Sequence, residues 1–252
     1  VREFIGEILE NRNLNNKIFL LKVKADIGDC IIYPGQFAML LISDTFDPFL
    51  RRPMSFYDVS ENRIVFLYQI VGRGTELLSR KKGREKISFI APLGNYFPLL
   101  KEREKILLLG GGMGISPLNF LISFYKDKVD FYSFLGFSSY MPEEVYENFS
   151  KYSKEMIIST EDGSLGYKGK ILDFIPEDLY SFSKIISCGP LPMLKELYKR
   201  VDKKDKLIFS LEERMACGIG ICLSCVVEGK DKMLHICKEG PIFSALEVSF
   251  NE

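Results

Sequence analysis

Nine residues near the carboxyl terminus restrict this chain more than any others: Cys217-Gly218-Ile219-Gly220-Ile221-Cys222-Leu223-Ser224-Cys225, followed later by Cys237. Four of the six cysteines fall in the last thirty-six residues of a 252-residue chain. A chain this long builds a full hydrophobic core and needs no disulfide framework, so the crowding points to a metal site. The C-x4-C-x2-C…C spacing is the plant-type pattern for a [2Fe–2S] cluster. Two irons bridged by sulfide need four thiolates. One tight loop presents three of them, Cys217, Cys222 and Cys225, and Cys237 is the fourth. Gly218 and Gly220 let the backbone curl around a cluster and aim N–H groups at its sulfurs. Zinc is the competing metal, but zinc sites pair cysteines in both halves, and here the second half holds one lone cysteine. His235, the only histidine, reads as structural because four cysteines complete the ligand count. Cys30 has no partners nearby in sequence and reads as a packed thiol.

The rest of the chain has two rhythms. Residues 1–98 read as β structure, with runs at Phe4–Leu9, Ile18–Val23, Phe37–Ile42, Met54–Val59, Ile64–Val71 and Lys86–Ile90. Turn chemistry such as Asp26-Ile27-Gly28-Asp29 and Pro34-Gly35 separates them. Short strands at close spacing predict an antiparallel β-barrel, because closure removes exposed edges. One helix is expected here, Thr75–Lys81, with Thr75 as its cap. From 99 to 211, buried-strand runs at Lys105–Leu109, Val129–Leu135, Met156–Thr160, Lys184–Cys188 and Leu207–Leu211 alternate with helical segments at Pro117–Tyr125, Pro142–Phe149 and Pro190–Arg200. That alternation predicts a parallel α/β domain with helices on both faces of its sheet. Residues 212–252 hold the cysteines, a hairpin-like Val226–Ile236 and an apolar tail. The expected architecture is thus multi-domain, barrel, nucleotide-binding α/β domain and small cluster domain in that order.

Two further segments carry chemistry. In Arg51-Arg52-Pro53-Met54-Ser55, two arginines enter a strand ahead of a hydroxyl, an arrangement that suits an anionic ligand lying on a barrel. Arg52 can pair with pyrophosphate through its fork, and Ser55 can bond a ring heteroatom. The Gly72-Arg73-Gly74-Thr75 turn adds backbone N–H donors and a helix N-terminus for the same phosphates. In Leu109-Gly110-Gly111-Gly112-Met113-Gly114-Ile115-Ser116-Pro117, a buried strand runs through a glycine turn into a helix, where Gly111, Gly112 and Gly114 let a dinucleotide approach the backbone. It departs from G-x-G-x-x-G, and no acidic ribose partner stands at the usual distance. Cys188-Gly189-Pro190-Leu191-Pro192-Met193 repeats the arrangement, and both turns are expected to face one crevice at the carboxyl ends of the strands. Cys188 stands at the mouth of that crevice, open between packing and cofactor contact.

Composition excludes other classes. Lys plus Arg and Asp plus Glu each total 34, a net charge of zero that argues against nucleic acid as the main partner. No apolar run approaches the roughly 18 residues of a membrane span, and the amino terminus lacks signal-peptide order, so a soluble, cytoplasmic protein is expected. One histidine cannot furnish a Ser–His–Asp set.

The barrel with R-x-x-S, then Gly-Gly-Gly-x-Gly-Ile-x-Pro-Leu, then Cys-Gly-Pro-x-x-Met, resembles the ferredoxin reductase superfamily. Leu211-Glu212-Glu213-Arg214-Met215-Ala216-Cys217-Gly218-Ile219-Gly220 and His235-Ile236-Cys237-Lys238-Glu239-Gly240-Pro241 are similar to the electron-transfer subunits of NAD-dependent dihydroorotate dehydrogenases. The resemblance spans essentially the whole chain. It implies FAD on Arg52, Pro53, Met54 and Ser55, on Leu67, Tyr68 and Gln69, and on Gly74 and Thr75, with a [2Fe–2S] cluster on the four cysteines. Gln69 replaces a common arginine, with Arg73 as a possible substitute. NAD would be the co-substrate, and an FMN-containing catalytic subunit the partner, in a two-plus-two heterotetramer serving pyrimidine synthesis. Redox arithmetic agrees: nicotinamide exchanges electrons in pairs, a [2Fe–2S] cluster singly, and a flavin converts between them. No acid–base machinery for an organic substrate is present, so the chain is expected to be half of an enzyme. The rival readings are a related subunit of a ferredoxin:NADP reductase or sulfide dehydrogenase, and a zinc-stabilised binding module without activity.

Overall fold

The computed structural model describes residues 1–15 and 17–250. Alternating apolar positions in the first part form seven strands: β1 (Arg2–Asn15), β2 (Ile18–Lys24), β3 (Phe37–Leu40), β4 (Arg52–Ser55), β5 (Asp58–Ser60), β6 (Arg63–Gln69) and β7 (Lys86–Leu93). They make one antiparallel sheet in the order β4-β3-β7-β1-β2-β6-β5. The sheet curls as a half-barrel around Phe56, Phe66, Phe89, Leu21 and Ile8, all fully buried. The single strand expected at Met54–Val59 is two. β4 and β5 lie at opposite ends of the strand order, so the two residues between them must leave the ladder. Phe56 enters the barrel core and the Tyr57 hydroxyl donates to the carbonyls of Glu144 and Val145.

The second part alternates as expected. β8 (Lys105–Gly111), β9 (Asp130–Phe137), β10 (Ser153–Thr160), the short β11 (Tyr167–Lys168), β12 (Lys184–Cys188) and β13 (Leu207–Ser210) are parallel neighbours in the order β11-β10-β9-β8-β12-β13. Helix α1 (Arg73–Arg80) belongs to the barrel; α2 (Ile115–Tyr125), α3 (Glu147–Tyr152) and α4 (Leu191–Arg200) belong to this domain. α3 starts later than the expected Pro142–Phe149, because a 3-10 turn at Glu143–Val145 comes first and its carbonyls receive Tyr57. α2 is apolar almost all round because it is covered on both sides. Leu118, Leu121 and Ile122 pack on the parallel sheet, and Phe120 packs into the barrel core. Each such buried side chain contributes roughly 1.5–3 kcal/mol. Between them, Asn119 donates to the Tyr57 carbonyl at 2.9 Å and Ser123 to Asp58 at 2.9 Å. Among the described residues, no helix is long and apolar enough to cross a membrane.

The tail holds a hairpin, β14 (Val226–Glu228) with β15 (Met233–His235), and a strand not foreseen in the sequence, β16 (Ile242–Ser244), which pairs antiparallel with β13. Asn95, in the turn after β7, clamps this tail to the barrel. Its amide donates to the carbonyls of Glu239 and Ile242 at 2.8 and 2.7 Å, and its carbonyl accepts the Ile242 N–H at 2.8 Å. With three partly buried bonds at about 1 kcal/mol each, Asn95→Ala is expected to cost about 2–4 kcal/mol. Chemical denaturation checks this, and a loss under about 0.5 kcal/mol would show that the tail is held elsewhere.

Candidate functional site

An anion cradle forms where β4 meets α1. Gly74 lies so close to Arg52 that a Cβ there would stand 2.4 Å from Nε, so only glycine lets the guanidinium cross the start of the helix. Arg52 is half-buried, and its Nη1 donates to the Leu50 carbonyl at 2.5 Å. The helix begins at Arg73, not Thr75, and Gly72 is its cap. Thr75 is spent on the turn itself: its hydroxyl accepts the N–H groups of Val71 and Gly72 at 3.0 and 3.3 Å and donates to the Gly72 carbonyl. The unpaired amides of the first helical turn and the Arg52 fork therefore share one space, suited to a pyrophosphate. Arg73, the candidate substitute for an arginine at Gln69, pairs with Asp47 at 2.8 Å. Pro53, Met54 and Ser55 line β4 half-buried, and the Ser55 carbonyl faces the Ser116 hydroxyl of α2 at 3.5 Å. Leu67 and Tyr68 have buried side chains, and the Tyr68 hydroxyl donates to Asn11, so only their backbone can meet a ligand.

A cleft of about 550 Å³ opens between the barrel and the carboxyl ends of β8 and β9, lined by Lys17, Gln69, Gly112, Met113, Phe137 and Tyr140 among others. β8 is where the strand order turns, with β9 on one side and β12 on the other, and ligands of α/β sheets bind at such points. The three predicted glycines divide by role. A Cβ on Gly111 would meet Met193 and Pro190 at 2.7 and 2.8 Å, and one on Gly114 would meet the Cys188 carbonyl at 2.5 Å. These two let the glycine turns after β8 and β12 pack on one another, and of the two turns only the one after β8 lines the cleft. Gly112 differs: its φ is +54° and nothing stands within 4 Å of its missing side chain. It alone of the three offers open backbone to the cleft. A smaller cavity of about 190 Å³ lies near Glu177, Tyr180 and Lys206, at the amino ends of β12 and β13 and away from these turns.

The Cys188 side chain is buried, and its thiol is pushed well up by burial and by the neighbouring Glu212 charge, with Ser210 as a hydrogen-bond partner. It is a packed, neutral thiol here. Glu212 was missed in the sequence. Its side chain is exposed, and the protein packed around it raises its carboxyl by partial desolvation. The signal available was its place just past the carboxyl end of β13, beside the strand of Cys188.

The cysteine loop sits against the barrel. Gly218 and Gly220 have φ of +73° and +82°, and a Cβ on Gly218 would strike the Met39 side chain of β3 at 2.5 Å. Leu223 also takes positive φ, +59°, a strained value for a branched residue. No three His, Cys, Asp or Glu side chains among the described residues close on one another as a ready metal site. The fit to a cluster rests on the donors around the thiols. The amides of Ile219 and Cys222 point at the Cys217 sulfur at 3.5 and 3.4 Å, Gly220 at Cys237 at 3.1 Å, and Cys237 at Cys225 at 3.4 Å. These N–H groups are what cluster sulfurs require. Hydrogen bonds led by Ser224 hold the exposed Cys222 thiol down to about 6, while burial pushes Cys237 up to about 12, so Cys237 needs a cation's charge to ionise. His235 pairs with Glu239 at 3.5 Å and stays outside the set.

Half-barrel, parallel domain and appended cysteine domain define a ferredoxin-reductase-like oxidoreductase with an iron–sulfur segment. The solved NADH-dependent reduced ferredoxin-NADP oxidoreductase, described for flavin-based electron bifurcation, superposes with a TM-score of 0.83 at 25% identity over 97% of this chain and 90% of its own. Residues 212–249 match the iron-sulfur cluster binding domain of dihydroorotate dehydrogenase B. Over 98% of both chains, the sequence is 38% identical to the dihydroorotate dehydrogenase B (NAD(+)) electron transfer subunit of Clostridium acetobutylicum. It is 40% identical, again over 98% of both, to the protein named as a homolog of that subunit in Aquifex aeolicus. The chain belongs to the family of dihydroorotate dehydrogenase B electron transfer subunits.

Glu212 gives the fold a pH signature. A carboxyl raised in the folded state binds its proton more tightly there than in the unfolded chain, so its penalty sets in as pH rises from about 4.5 through the raised value. Glu212→Gln is expected to be more stable than the parent at pH 7–8, with the difference vanishing toward pH 4. Equal denaturation midpoints at both ends of that range would show that the carboxyl is freely solvated.

Proposed function

We propose that this chain carries electrons between a catalytic subunit that oxidises dihydroorotate and NAD⁺, through a [2Fe–2S] cluster on Cys217, Cys222, Cys225 and Cys237 and FAD on β4. Bound flavin supplies the exchange between hydride transfer and single-electron transfer, which no side chain can provide. The observation that carries this reading is the seating of Gly218 on Met39, because Met39 pairs with Pro53 in the ladder between β3 and β4. Cluster loop and flavin strand are therefore neighbours. On this reading Arg52 and the first amides of α1 bind the pyrophosphate, Ser55 orients the ring, and Gly112 admits the nicotinamide nucleotide to the cleft. Residues 1–98, 99–211 and 212–252 would serve as the FAD, NAD and cluster units.

On this reading a partner with its own flavin oxidises dihydroorotate, in a two-plus-two assembly; the relatives' name as electron transfer subunits supports such a partner. Ile219, Ile221 and Leu223 are exposed between the cysteines, with Ile221 at 76%. Apolar side chains left in water beside a redox loop suit a lasting interface. All six cysteines are free, which suits a reducing, cytoplasmic setting. The rival subunit of a ferredoxin:NADP reductase is less well supported, since identity to that structure is 25%, against 38% to the subunit from Clostridium acetobutylicum.

Arg52→Ala removes a charge-assisted phosphate bond of roughly 1.5–3 kcal/mol, so FAD affinity should fall by about one to two decades. Unchanged flavin retention on gel filtration would count against Arg52. Cys222→Ser should abolish the paramagnetic signal of the reduced protein while NADH oxidation by artificial dyes persists. Flow from dihydroorotate to NAD⁺ in the reconstituted complex should then stop. Full NAD⁺ reduction by that variant would put the cluster off the path and sink the proposal.

A further inference from the structure

We infer that the loop at residues 43–51 holds the adenine of the FAD, with Phe46 and Phe49 as its stacking platform; the inference rests on the reading of β4 as the flavin strand. Phe46 is 90% exposed and Phe49 68%, and their rings lie nearly parallel, 19° apart in plane with centroids 6.2 Å apart. Two phenyl rings side by side in water are unfavourable unless something covers them. Polar contacts set where the loop lies. Asp47 is paired to Arg73 at the first residue of α1, and the Leu50 carbonyl accepts Arg52. Thr45 adds an internal brace, its hydroxyl donating to the Asp47 carbonyl at 3.0 Å. Both outer tethers therefore end on the anion cradle.

Chain order supplies the second argument. A strand rises about 3.3 Å per residue, so Ser55 at the ring end and Arg52 at the pyrophosphate are separated by about 10 Å. Continuing in the same direction leads off β4 into Leu50, Phe49 and then Phe46. FAD has the same order of parts: ring, ribityl chain, pyrophosphate, adenosine. An aromatic face is what an adenine needs, since stacking requires no edge-specific hydrogen bond. A protein partner could also cover two phenyl rings, but tethers that converge on the phosphate cradle point to the cofactor.

The test uses the full chain with its flavin removed, titrated separately with FAD and with FMN, and followed by quenching of flavin fluorescence. FMN carries the ring and one phosphate but no adenine. The Phe46→Ala/Phe49→Ala variant is expected to bind FAD about tenfold more weakly, the scale of one base–aromatic stack, with its FMN affinity at the parental value. Phe46→Tyr/Phe49→Tyr, which keeps both rings, should retain parental FAD affinity. Equal weakening of the two flavins, or unchanged FAD binding by the alanine variant, overturns the inference. So does loss of assembly with the catalytic subunit while FAD binding stays intact. A parent chain that binds neither flavin would refute the underlying reading of β4 instead, and the same titrations show which has failed.

Discussion

The close approach of Gly218 to Met39 is the contact on which the electron-transfer geometry depends. A redox loop on a separate, loosely attached tail would sample many distances from the barrel. Here any side chain at residue 218 would collide with a fully buried methionine, so the loop lies against β3 with no spacer. The left-handed φ of the same residue is needed to turn the loop back toward Cys222. Asn95 secures the other side of the tail, and β16 joins the tail to the parallel sheet beside β13. The tail is thus anchored to both larger units.

The barrel and the parallel domain are fixed to each other in the same manner, by polar contacts at the edge of an apolar seam. Leu20, Val65 and Leu67 of the barrel share a core with Ile115, Leu118 and Leu135 of the α/β domain. Around it, Tyr57 bonds the Glu144 and Val145 carbonyls, Arg12 pairs with Glu144 at 2.7 Å, and Asn15 donates to the Tyr140 carbonyl at 2.9 Å. Exposed ion pairs such as Arg12–Glu144 contribute little energy. Their effect is orientation, since each restricts rotation about a seam that apolar packing alone leaves adjustable.

Much of this was legible in the sequence because its causes are local. Strand alternation, the glycine turns after Leu109 and Cys188, and the C-x4-C-x2-C spacing all act within a few residues. What escaped was long-range. β16 is three residues with no pattern of their own, and it exists because β13 offers an edge. The break between β4 and β5 follows from their places at opposite ends of the sheet. Gly111 and Gly114 looked like ligand glycines, yet what each lies against, Met193 or the Cys188 carbonyl, is some eighty residues away in sequence. Glu212 lies in the segment leading to the cysteines, but nothing local marks it; its raised carboxyl comes from the protein packed around it.

Strand order also separates the two ends of the electron path. β4 is hydrogen-bonded to β3 on one side and packs across the opening of the half-barrel against β6 on the other. The cysteine loop leans on β3 through Met39, while Gln69, the last residue of β6, lines the cleft with Gly112. A ligand on β4 therefore has the cysteine loop on one flank and the cleft at Gly112 on the other. On the proposed reading the donor protein and the nicotinamide nucleotide would not compete for one surface, because the half-barrel's open edge places β4 between them. A fully closed barrel would have buried that edge in a ladder with β5 and left β4 no free flank.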